Sequence, residues 1–355
     1  MALKKSSGPF RLHLRGNHMN QTQKVRKTEK AIVNGERLWQ TLIDIAAFGS
    51  IPGDGSCRLS LTDEDKEARD LFARWCEEAG LVRTVDRYGN MFAVREGRDK
   101  EAPCILIGSH LDTQPHGGRF DGVLGVLADL ELLRSFNDAG IETESPIAIV
   151  NWTNEEGVRF KPGLTGSAGF AGTLDEKAVS GIDGTDFFGE LRRIGYAGDA
   201  KFDRKIGAYY ELHIEQGPVL ERAGLPVGIV NGIQGVRWYE VLIDGQDSHA
   251  GTTPIQDRHD SFMAAAALAM KLRFEALSLD PNLRFTIGRV ELSPNSTNTV
   301  PGHAKLMIDL RHGDSNLLDA FEIKMAAATS QIDQREGVKT SAKRGWRRLN
   351  GYSTY

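Results

Sequence analysis

Apolar residues in the first half of the chain follow two spacings, one typical of strands and one typical of helices. The predicted helices span residues 37–48, 62–80 and 121–137, and the predicted strands span 81–85, 90–94, 104–107 and 147–152. Thr62 stands at a helix N-cap position, because acidic residues follow it in the first turn. Strand, helix and strand in this order form a βαβ crossover, which predicts an α/β domain with a largely parallel sheet.

The second half of the chain changes character after a further predicted strand at 209–214. It continues with predicted strands at 238–243, 283–292 and 304–310 and predicted helices at 257–277 and 316–332. This β-α-β-β-α order is that of a ferredoxin-like (α+β) sandwich that lacks its final strand. We therefore place a domain boundary near Val230. The predicted segments are a disordered extension at 1–33, an α/β domain at 34–229, an α+β domain at 230–340 and an atypical tail at 341–355.

Composition and charge narrow the class of protein. Of the 355 residues, 40% are hydrophobic and 26% are charged, as in ordinary soluble globular proteins. A net charge of −4 argues against a nucleic-acid-binding protein, and no apolar run approaches the length of a membrane span. The cysteines, Cys57, Cys76 and Cys104, form neither a disulfide framework nor a CxxC pair, which favours a reducing compartment such as the cytoplasm.

Residues 1–30 differ from the rest because they carry eight Lys or Arg residues and one acidic residue, Glu29. No apolar segment of the signal-peptide kind follows, so we do not expect secretion. A disordered tail, or sequence translated upstream of Met19, is the simpler interpretation. An organellar transit peptide is the alternative, because such peptides carry Arg and few acids.

The candidate chemistry begins with GSHLDT at 108–113, directly after a predicted strand. His110 and Asp112 are two residues apart, so in an extended backbone their side chains project from the same face. A neutral imidazole binds zinc-like metals, and a nearby carboxylate can fix its orientation. Polar residues at a strand end are the alternative, so the interpretation depends on what the neighbouring strand ends carry.

Further metal-ligand side chains fall at or beyond other predicted element ends. Asp121 opens a predicted helix, Glu155 and Glu156 follow a buried strand, and His213 lies at the end of another strand. A simple N-cap and an exposed acidic loop are the alternatives for the acidic residues. Ligand sites of open α/β sheets gather at the carboxyl ends of strands. Because His and carboxylate ligands without a thiolate suit catalytic zinc or manganese, the pattern predicts a metal hydrolase.

Five motifs carry a resemblance to a known family. They are GSHLDTQPHGGRFDGVLGVL, NWTNEEGVRF, HIEQGPVLE, SHAGTTP, and SPNSTNTVPG with IDLRHGD. In this order, over roughly 37–332, they resemble the N-carbamoyl-L-amino-acid hydrolase group. That group includes allantoate amidohydrolases and metal-dependent β-ureidopropionases, and it belongs to the di-zinc peptidase-like amidohydrolases. The resemblance implies a mixed-sheet di-zinc aminopeptidase-like catalytic domain at 34–229, and a ferredoxin-like lid and dimerisation domain at 230–340 that pairs two copies.

The resemblance implies roles at the metal centre. Two divalent metal ions, zinc or else manganese, cobalt or nickel, would have as ligands His110, Asp121, Glu156 and His213, with Asp121 bridging. Glu155 is implied as the general base, and Asp112 as the residue that orients His110.

The resemblance also implies substrate contacts. His249 resembles the lid-domain histidine that reaches the substrate carbonyl, often across a dimer. Asn298 and Arg311 match positions that hold the substrate carboxylate, while Gln216 and Arg237 are weaker candidates.

The implied reaction converts a small N-carbamoyl amino acid to the amino acid, CO2 and ammonia, with neither nucleic acid nor membrane as a partner. Hydrolysis of allantoate is one alternative, and the motifs NWTNEEGVRF and HLDTQP favour a carbamoyl substrate over it. Cleavage of peptides by an aminoacylase- or dipeptidase-like enzyme is another. A third alternative is a non-catalytic truncated homologue that dimerises through its lid.

The chain departs from the family pattern after about residue 340. The family has a further ligand histidine in a Gly-His-Asp-Ala-like motif, but no histidine follows His312 in this chain. The final residues, SAKRGWRRLNGYSTY, are basic and lack apolar periodicity. We therefore expect truncation or a reading-frame shift, a poorly held second metal, and weak or absent activity.

Overall fold

The computed structural model describes residues 31–182, 184–348 and 351–352. These residues form two units, each with its own hydrophobic core, that divide between Val219 and Leu220. The boundary expected from the sequence stands near Val230. Most of the predicted N-terminal extension, residues 1–30, and part of the predicted tail lie outside the described residues.

A five-stranded sheet organises the first unit. Its strands are β1 (Val82–Val85), β2 (Met91–Arg95), β3 (Cys104–His110), β4 (Ile147–Trp152) and β5 (Ile206–Tyr210). The spatial order is β5-β3-β4-β2-β1. Strands β5, β3 and β4 run parallel, whereas β2 is antiparallel to β4 and β1 is antiparallel to β2. The predicted α/β class with a mixed sheet is confirmed.

Helices and short strands complete the first unit. The helices are α1 (Gly35–Ala46), α2 (Asp63–Glu78), α3 (Val123–Asp138), α4 (Thr165–Phe170) and α5 (Phe187–Arg193), with a 3-10 turn at Glu176–Ala178. Two-residue strands pair at Ser50–Ile51, Gly55–Ser56 and Gly117–Gly118, and at Phe160–Lys161 with Ser180–Gly181. A further helix, α6 (Val219–Ala223), spans the division between the units.

The starts of α2 and α3 follow different local rules. Thr62 caps α2 as expected, because its side chain accepts a hydrogen bond from Asp65 N and three acids occupy the first turn. The sequence predicts a helix start at Asp121, with a simple N-cap as the alternative role of that residue, and the structure supports neither. That helix starts at Val123 after Gly122, which provides no side-chain cap. Asp121 is therefore free of a capping role.

Apolar side chains cover both faces of the central sheet. On one face, α1, α2 and α3 pack over strand residues such as Met91, Ile107 and Ile149. On the other, Phe92 stacks on Phe202, their ring centroids 4.7 Å apart, in a second cluster. Burial on both faces explains why these strands are almost continuously apolar in the sequence.

A four-stranded antiparallel sheet organises the second unit. Its strands are β6 (Gly235–Asp244), β7 (Arg284–Ser293), β8 (His303–His312) and β9 (Lys339–Arg348), in the spatial order β7-β8-β6-β9. The long helices α7 (Ser261–Leu279) and α8 (Ser315–Glu336) pack on this sheet, and a 3-10 turn spans Ile255–Asp257. Short strands pair Gly232–Ile233 with Gly351–Tyr352, and Ser248–His249 with Thr299–Val300.

The second unit corrects one expectation. We expected the ferredoxin-like sandwich to lack its final strand, but β9 pairs antiparallel with β6 along its whole length and completes the β-α-β-β-α-β order. The first half of the predicted tail is therefore regular structure. Among the described residues, no helix combines the length and apolar character needed to cross a membrane.

Candidate metal centre

The predicted metal ligands collect at one edge of the first unit's sheet. His110 is the last residue of β3, Glu155 and Glu156 follow β4, and His213 follows β5. Because these three strands are parallel neighbours, their carboxyl ends lie at the same edge. Asp121 reaches the same place from the turn before α3. All four predicted ligands and the predicted base are therefore brought together.

His110 belongs to two groups of potential ligands. In the first group its ligand atom lies within 4.8 Å of those of Asp121 and His213, and in the second within 4.8 Å of those of Glu155 and Glu156. Within the first group, His213 Nε2 lies 3.3 Å from Asp121 Oδ1, and within the second, His110 Nε2 lies 3.5 Å from Glu155 Oε2. The His110 imidazole is thus shared by a group with one carboxylate and a second histidine and a group with two carboxylates.

Among the described residues, two carboxylate oxygens in these groups are buried and form no hydrogen bond, Asp121 Oδ1 and Glu156 Oε1. Such orphaned acceptors are costly unless a cation or a donor meets them. Burial raises the pKa of Glu156 to about 7, although the hydrogen bond from Gln114 opposes that rise. A donor set of imidazole nitrogens and carboxylate oxygens suits zinc and similar divalent ions. The residues therefore fit the metals that the resemblance implies.

The orientation of His110 comes from a different atom than expected. Its Nδ1 lies 2.8 Å from the backbone carbonyl oxygen of Asp112, whereas the Asp112 carboxylate is 4.0 Å away. A proton on Nδ1 bonded to that carbonyl leaves the Nε2 lone pair facing the ligand groups. The structure assigns the orienting role to the main chain of Asp112, not to its side chain.

The Asp112 carboxylate instead holds the acidic loop. It accepts hydrogen bonds from the backbone N–H groups of Glu155 and Glu156, both at 3.2 Å. Burial raises the pKa of Asp112 to about 6, and the charge of His110 limits the rise. One residue thus positions a candidate ligand, His110, through its backbone and the two glutamates through its side chain.

Gly122 makes room for the ligand histidine. A Cβ atom at this position would lie 2.4 Å from ring atoms of His110, and the backbone φ of +67° is one that glycine adopts without strain. Only glycine lets the turn before α3 approach His110 this closely.

Sequence reasoning missed two residues that support the site. Arg58 is buried, and its guanidinium donates to the backbone oxygens of Leu111 at 2.9 Å and Phe48 at 2.8 Å. Gln114 donates to Glu156 Oε2 at 3.0 Å. Gln114 lies within the family motif around His110, so the sequence could have identified it as a site residue. Nothing in the sequence marks Arg58.

The predicted substrate residues have other partners. Gln216 donates to Asp121 Oδ2 at 2.5 Å, which places it at the metal centre. In the second unit, Arg237 is buried and pairs with Asp319 at 2.6 Å. Arg311 binds both carboxylate oxygens of Asp309, each at 2.8 Å.

His249 and Asn298 lie together within the second unit. The short strand Ser248–His249 pairs with Thr299–Val300, and Ala250 N donates to Asn298 O at 3.0 Å. His249 is partly exposed, and its Nδ1 accepts from Gly251 N at 3.0 Å. Its Nε2 atom is left for another partner.

Comparison with known proteins places this geometry in a family. The profile of peptidase family M20/M25/M40 matches residues 106–343. The N-carbamoyl-L-amino-acid amidohydrolase of Rhizobium meliloti is 44% identical over 317 residues, covering 88% of this chain and 76% of that protein. The allantoate amidohydrolase of Bacillus subtilis is 31% identical over 301 residues, covering 83% of this chain and 73% of that protein.

Solved structures agree with the sequence comparison. A hydantoinase/carbamoylase family amidase from Burkholderia ambifaria superimposes with a TM-score of 0.81 at 44% identity, covering 90% of this chain and 80% of that one. A similar amidase from Burkholderia multivorans has a TM-score of 0.81 at 42% identity, and the match covers 90% of this chain and 79% of the amidase chain. The motif resemblance is confirmed, and the chain belongs to peptidase family M20/M25/M40.

Proposed function

We propose that this chain is a metal-dependent amidohydrolase that cleaves the carbamoyl group of an N-carbamoyl amino acid, releasing the amino acid, CO2 and ammonia. The main structural support is that His110 belongs to both groups of potential ligands, with the Glu155 carboxylate 3.5 Å from its Nε2. Relatives from Rhizobium meliloti and Geobacillus stearothermophilus that are named N-carbamoyl-L-amino-acid amidohydrolases support this substrate class. Hydrolysis of a C–N bond follows from the family, and the carbamoyl substrate is the finer part of the proposal.

Four side chains would hold the two divalent metal ions expected for this activity: His110, Asp121, Glu156 and His213. When bound, the metals supply a water that loses a proton near neutral pH and polarise the carbonyl to be attacked. Zinc suits this donor set, and manganese, cobalt and nickel accept the same ligands.

Glu155 is the residue that would move the proton. Its carboxylate is half-buried beside His110, and its backbone is fixed by Asp112 Oδ1 at 3.2 Å. In this position it would take a proton from the attacking water and deliver it to the leaving nitrogen as the C–N bond breaks. Asp112 would keep the glutamate in place throughout both transfers.

Substrate contacts are proposed from the resemblance. His249 would stabilise the oxyanion that forms on the attacked carbonyl, and Asn298 with Arg311 would bind the substrate carboxylate. Arg311 binds Asp309 through Nε and Nη2, so a substrate carboxylate would use the remaining Nη donors or replace that partner.

Replacement of Glu155 by Gln tests the proposal. We expect Glu155→Gln to lower kcat for ammonia release by about 10²–10⁴-fold, because it removes the proton acceptor. Bound metal, measured by elemental analysis, should stay at the wild-type level, because Glu155 is not among the four proposed ligands. Glu144→Gln, at an exposed residue paired with Arg98, is the matched control and should change neither quantity. A wild-type protein that holds metal but releases no ammonia from any N-carbamoyl amino acid would contradict the proposal.

Allantoate is the second candidate substrate, because the Bacillus subtilis relative is named an allantoate amidohydrolase. Parallel assays of ammonia release from N-carbamoyl amino acids and from allantoate separate the two activities by their kcat/KM values. A ninhydrin assay on dipeptides detects the peptidase alternative.

A further inference from the structure

A groove of about 580 Å³ lies on the helical face of the first unit, where α1, α2 and α3 meet. None of the proposed metal ligands lines it, and neither does Glu155. The groove is therefore separate from the metal centre.

Arg134 brings a positive charge into this groove without a negative partner. The side chain is partly buried, and within the part of the chain that the structure describes it forms no ion pair. Its guanidinium donates one long hydrogen bond, 3.4 Å to Thr41 Oγ1, and its central carbon lies 5.8 Å from the centre of the Trp75 ring. Most of its donors thus remain for water or a ligand.

The charges of Glu131 and Glu78 act on Arg134, but neither carboxylate pairs with it among the described residues. Arg37 also lines the groove, but its guanidinium is already held by Glu131 and Asp138, each at 2.7 Å. Burial lowers the pKa of Arg134, and the charge of Arg37 lowers it further. A carboxylate arriving on Arg134 would meet a planar fork of donors that suits two-point binding.

A carboxylate with no ion-pair partner among the described residues faces the same groove. Glu78 is exposed, and its charge acts on Arg134 although the two groups do not pair. Because Arg134 and Glu78 line the same groove without touching, a ligand that carries both a negative and a positive group can bind between them. The Trp75 indole provides an apolar wall beside them.

We propose that this groove binds a zwitterionic α-amino acid with an apolar side chain. The ligand carboxylate binds Arg134, the ammonium binds Glu78, and the side chain lies against Trp75. A phosphate or dicarboxylate is disfavoured, because Asp44 and Glu78 both line the groove and would repel a second negative charge. The inference goes beyond the proposed reaction, of which an amino acid would be a product, and it does not depend on that reaction.

Ligand analogues that each lack one charge test the assignment. Binding of L-leucine to the full chain is measured by calorimetry, with metal present and after metal removal, beside N-acetyl-L-leucine and L-leucinamide. We expect leucine to bind equally in both states of the protein. Each analogue should bind about tenfold more weakly or worse, because each loses a charge-assisted contact.

Variants locate the site. Arg134→Gln and Glu78→Gln should each weaken leucine binding about tenfold, whereas Arg74→Gln, an exposed position on α2 outside the groove, should not. Circular dichroism checks the fold, and the exposed Glu78 carries the test if Arg134→Gln fails to fold.

Three results would overturn the proposal: no leucine binding, unchanged binding in folded variants, or binding that disappears with the metal. The last result would place the amino acid at the metal centre. A chain that binds leucine in the groove but hydrolyses no carbamoyl substrate would refute the proposed function and leave this inference standing.

Discussion

Arg58 shows how one buried residue stabilises the turn that contains His110 and Asp112. Its guanidinium is 1% exposed and is surrounded by backbone carbonyl oxygens instead of a carboxylate. Its own backbone is tied to Thr113 in both directions, by bonds of 2.7 and 2.8 Å. These contacts join the end of α1 to the turn that contains His110 and Asp112. Burial lowers the pKa of Arg58, so its charge is maintained at a free-energy cost that those carbonyls offset.

We predict that Arg58→Lys lowers the free energy of unfolding by about 2–4 kcal/mol, because an ammonium cannot reach all the carbonyls that the guanidinium binds. Urea unfolding followed by circular dichroism measures the change. Arg74→Lys, at an exposed position on the neighbouring helix α2, should stay within about 0.5 kcal/mol of wild type. Equal losses in the two variants would show that the buried contacts of Arg58 add nothing to stability.

Asp129 is a second buried ionisable residue. The side chain is 8% exposed, and its Oδ2 has no hydrogen-bond partner among the described residues. Burial raises the pKa of Asp129 to about 8, and the charge of Glu211 adds to the rise. Between the unfolded value near 4 and this folded value, the folded chain binds more protons than the unfolded chain.

Stability should therefore fall as pH rises through that window. We predict that the wild-type chain loses up to about 1.4 kcal/mol per pH unit relative to Asp129→Asn between pH 5 and 8, because the neutral amide has no proton to lose. Urea unfolding of the metal-free proteins at several pH values measures the difference. Parallel stability profiles of the two proteins would mean that Asp129 does not titrate in this range.

The candidate ligand residues could be predicted where their position in the fold follows from the sequence pattern. His110, His213 and the Glu155–Glu156 pair could be proposed together because parallel strands end at one edge of a sheet, whereas the choice of Glu156 as the ligand came from the family resemblance. The contact between His110 and the backbone carbonyl of Asp112 could not be predicted, because every residue has a backbone carbonyl and the sequence does not mark the one that is used. Arg58 was missed for a related reason, because a buried arginine solvated by carbonyls has no acidic partner that would mark it in the sequence.

At the scale of elements, the start of α3 determines the geometry of the site. The sequence places the helix start at Asp121, but the structure begins it at Val123. Gly122 in a left-handed conformation turns the chain against His110, and this frees the Asp121 carboxylate to face His213. A helix that began at Gly122 could instead use the Asp121 carboxylate as its N-cap.

We predict that Gly122→Ala destabilises the protein by about 3 kcal/mol or more, because the added methyl group is both strained and in collision with the ring of His110. Gly195→Ala is the matched control, since Gly195 has a φ of +78° but nothing within 4 Å of the added atom. That control should lose only about 1 kcal/mol from backbone strain. Thermal and urea unfolding measure both variants, and equal losses would exclude a steric role for His110.

The elements that sequence patterns find best are those with a buried face. Strands β3 and β4 were recognisable because each contains a run of four apolar residues, whereas β9 was missed because its sequence, KTSAKRGWRR, is rich in charge. Residues 341–345 of β9 are exposed. A strand at the edge of a sheet gains its stability from backbone pairing with β6, and charged side chains there discourage pairing with other chains. Apolar periodicity therefore cannot reveal it.

At the scale of the whole molecule, an apolar stripe on α7 is the feature that bears on assembly. Met263, Met270, Phe274 and Leu277 recur on one side of this helix and are each more than half exposed. Contiguous exposed apolar surface of this kind is typical of interaction sites. We propose that two copies of the chain associate through the second unit, as the resemblance implies.

The prediction is that the wild-type chain is a dimer by light scattering and that Phe274→Glu shifts it to the monomer, because a buried charge opposes association. Ile323→Glu is the control, since Ile323 on α8 is comparably exposed at 73% but outside the stripe, and it should leave the dimer intact. A monomeric wild type, or dissociation by both variants, would exclude the stripe as the interface.

The position of β9 along the chain has a consequence for folding during synthesis. Strand β6 lies between β8 and β9, and its partner residues in β9 follow it by roughly 100 positions. The second unit cannot complete its sheet until residues 339–348 have left the ribosome, whereas all five strands of the first unit emerge before β6. The sheet of the first unit can therefore form before that of the second, and α7 and α8 emerge before the last strand of their sheet is available.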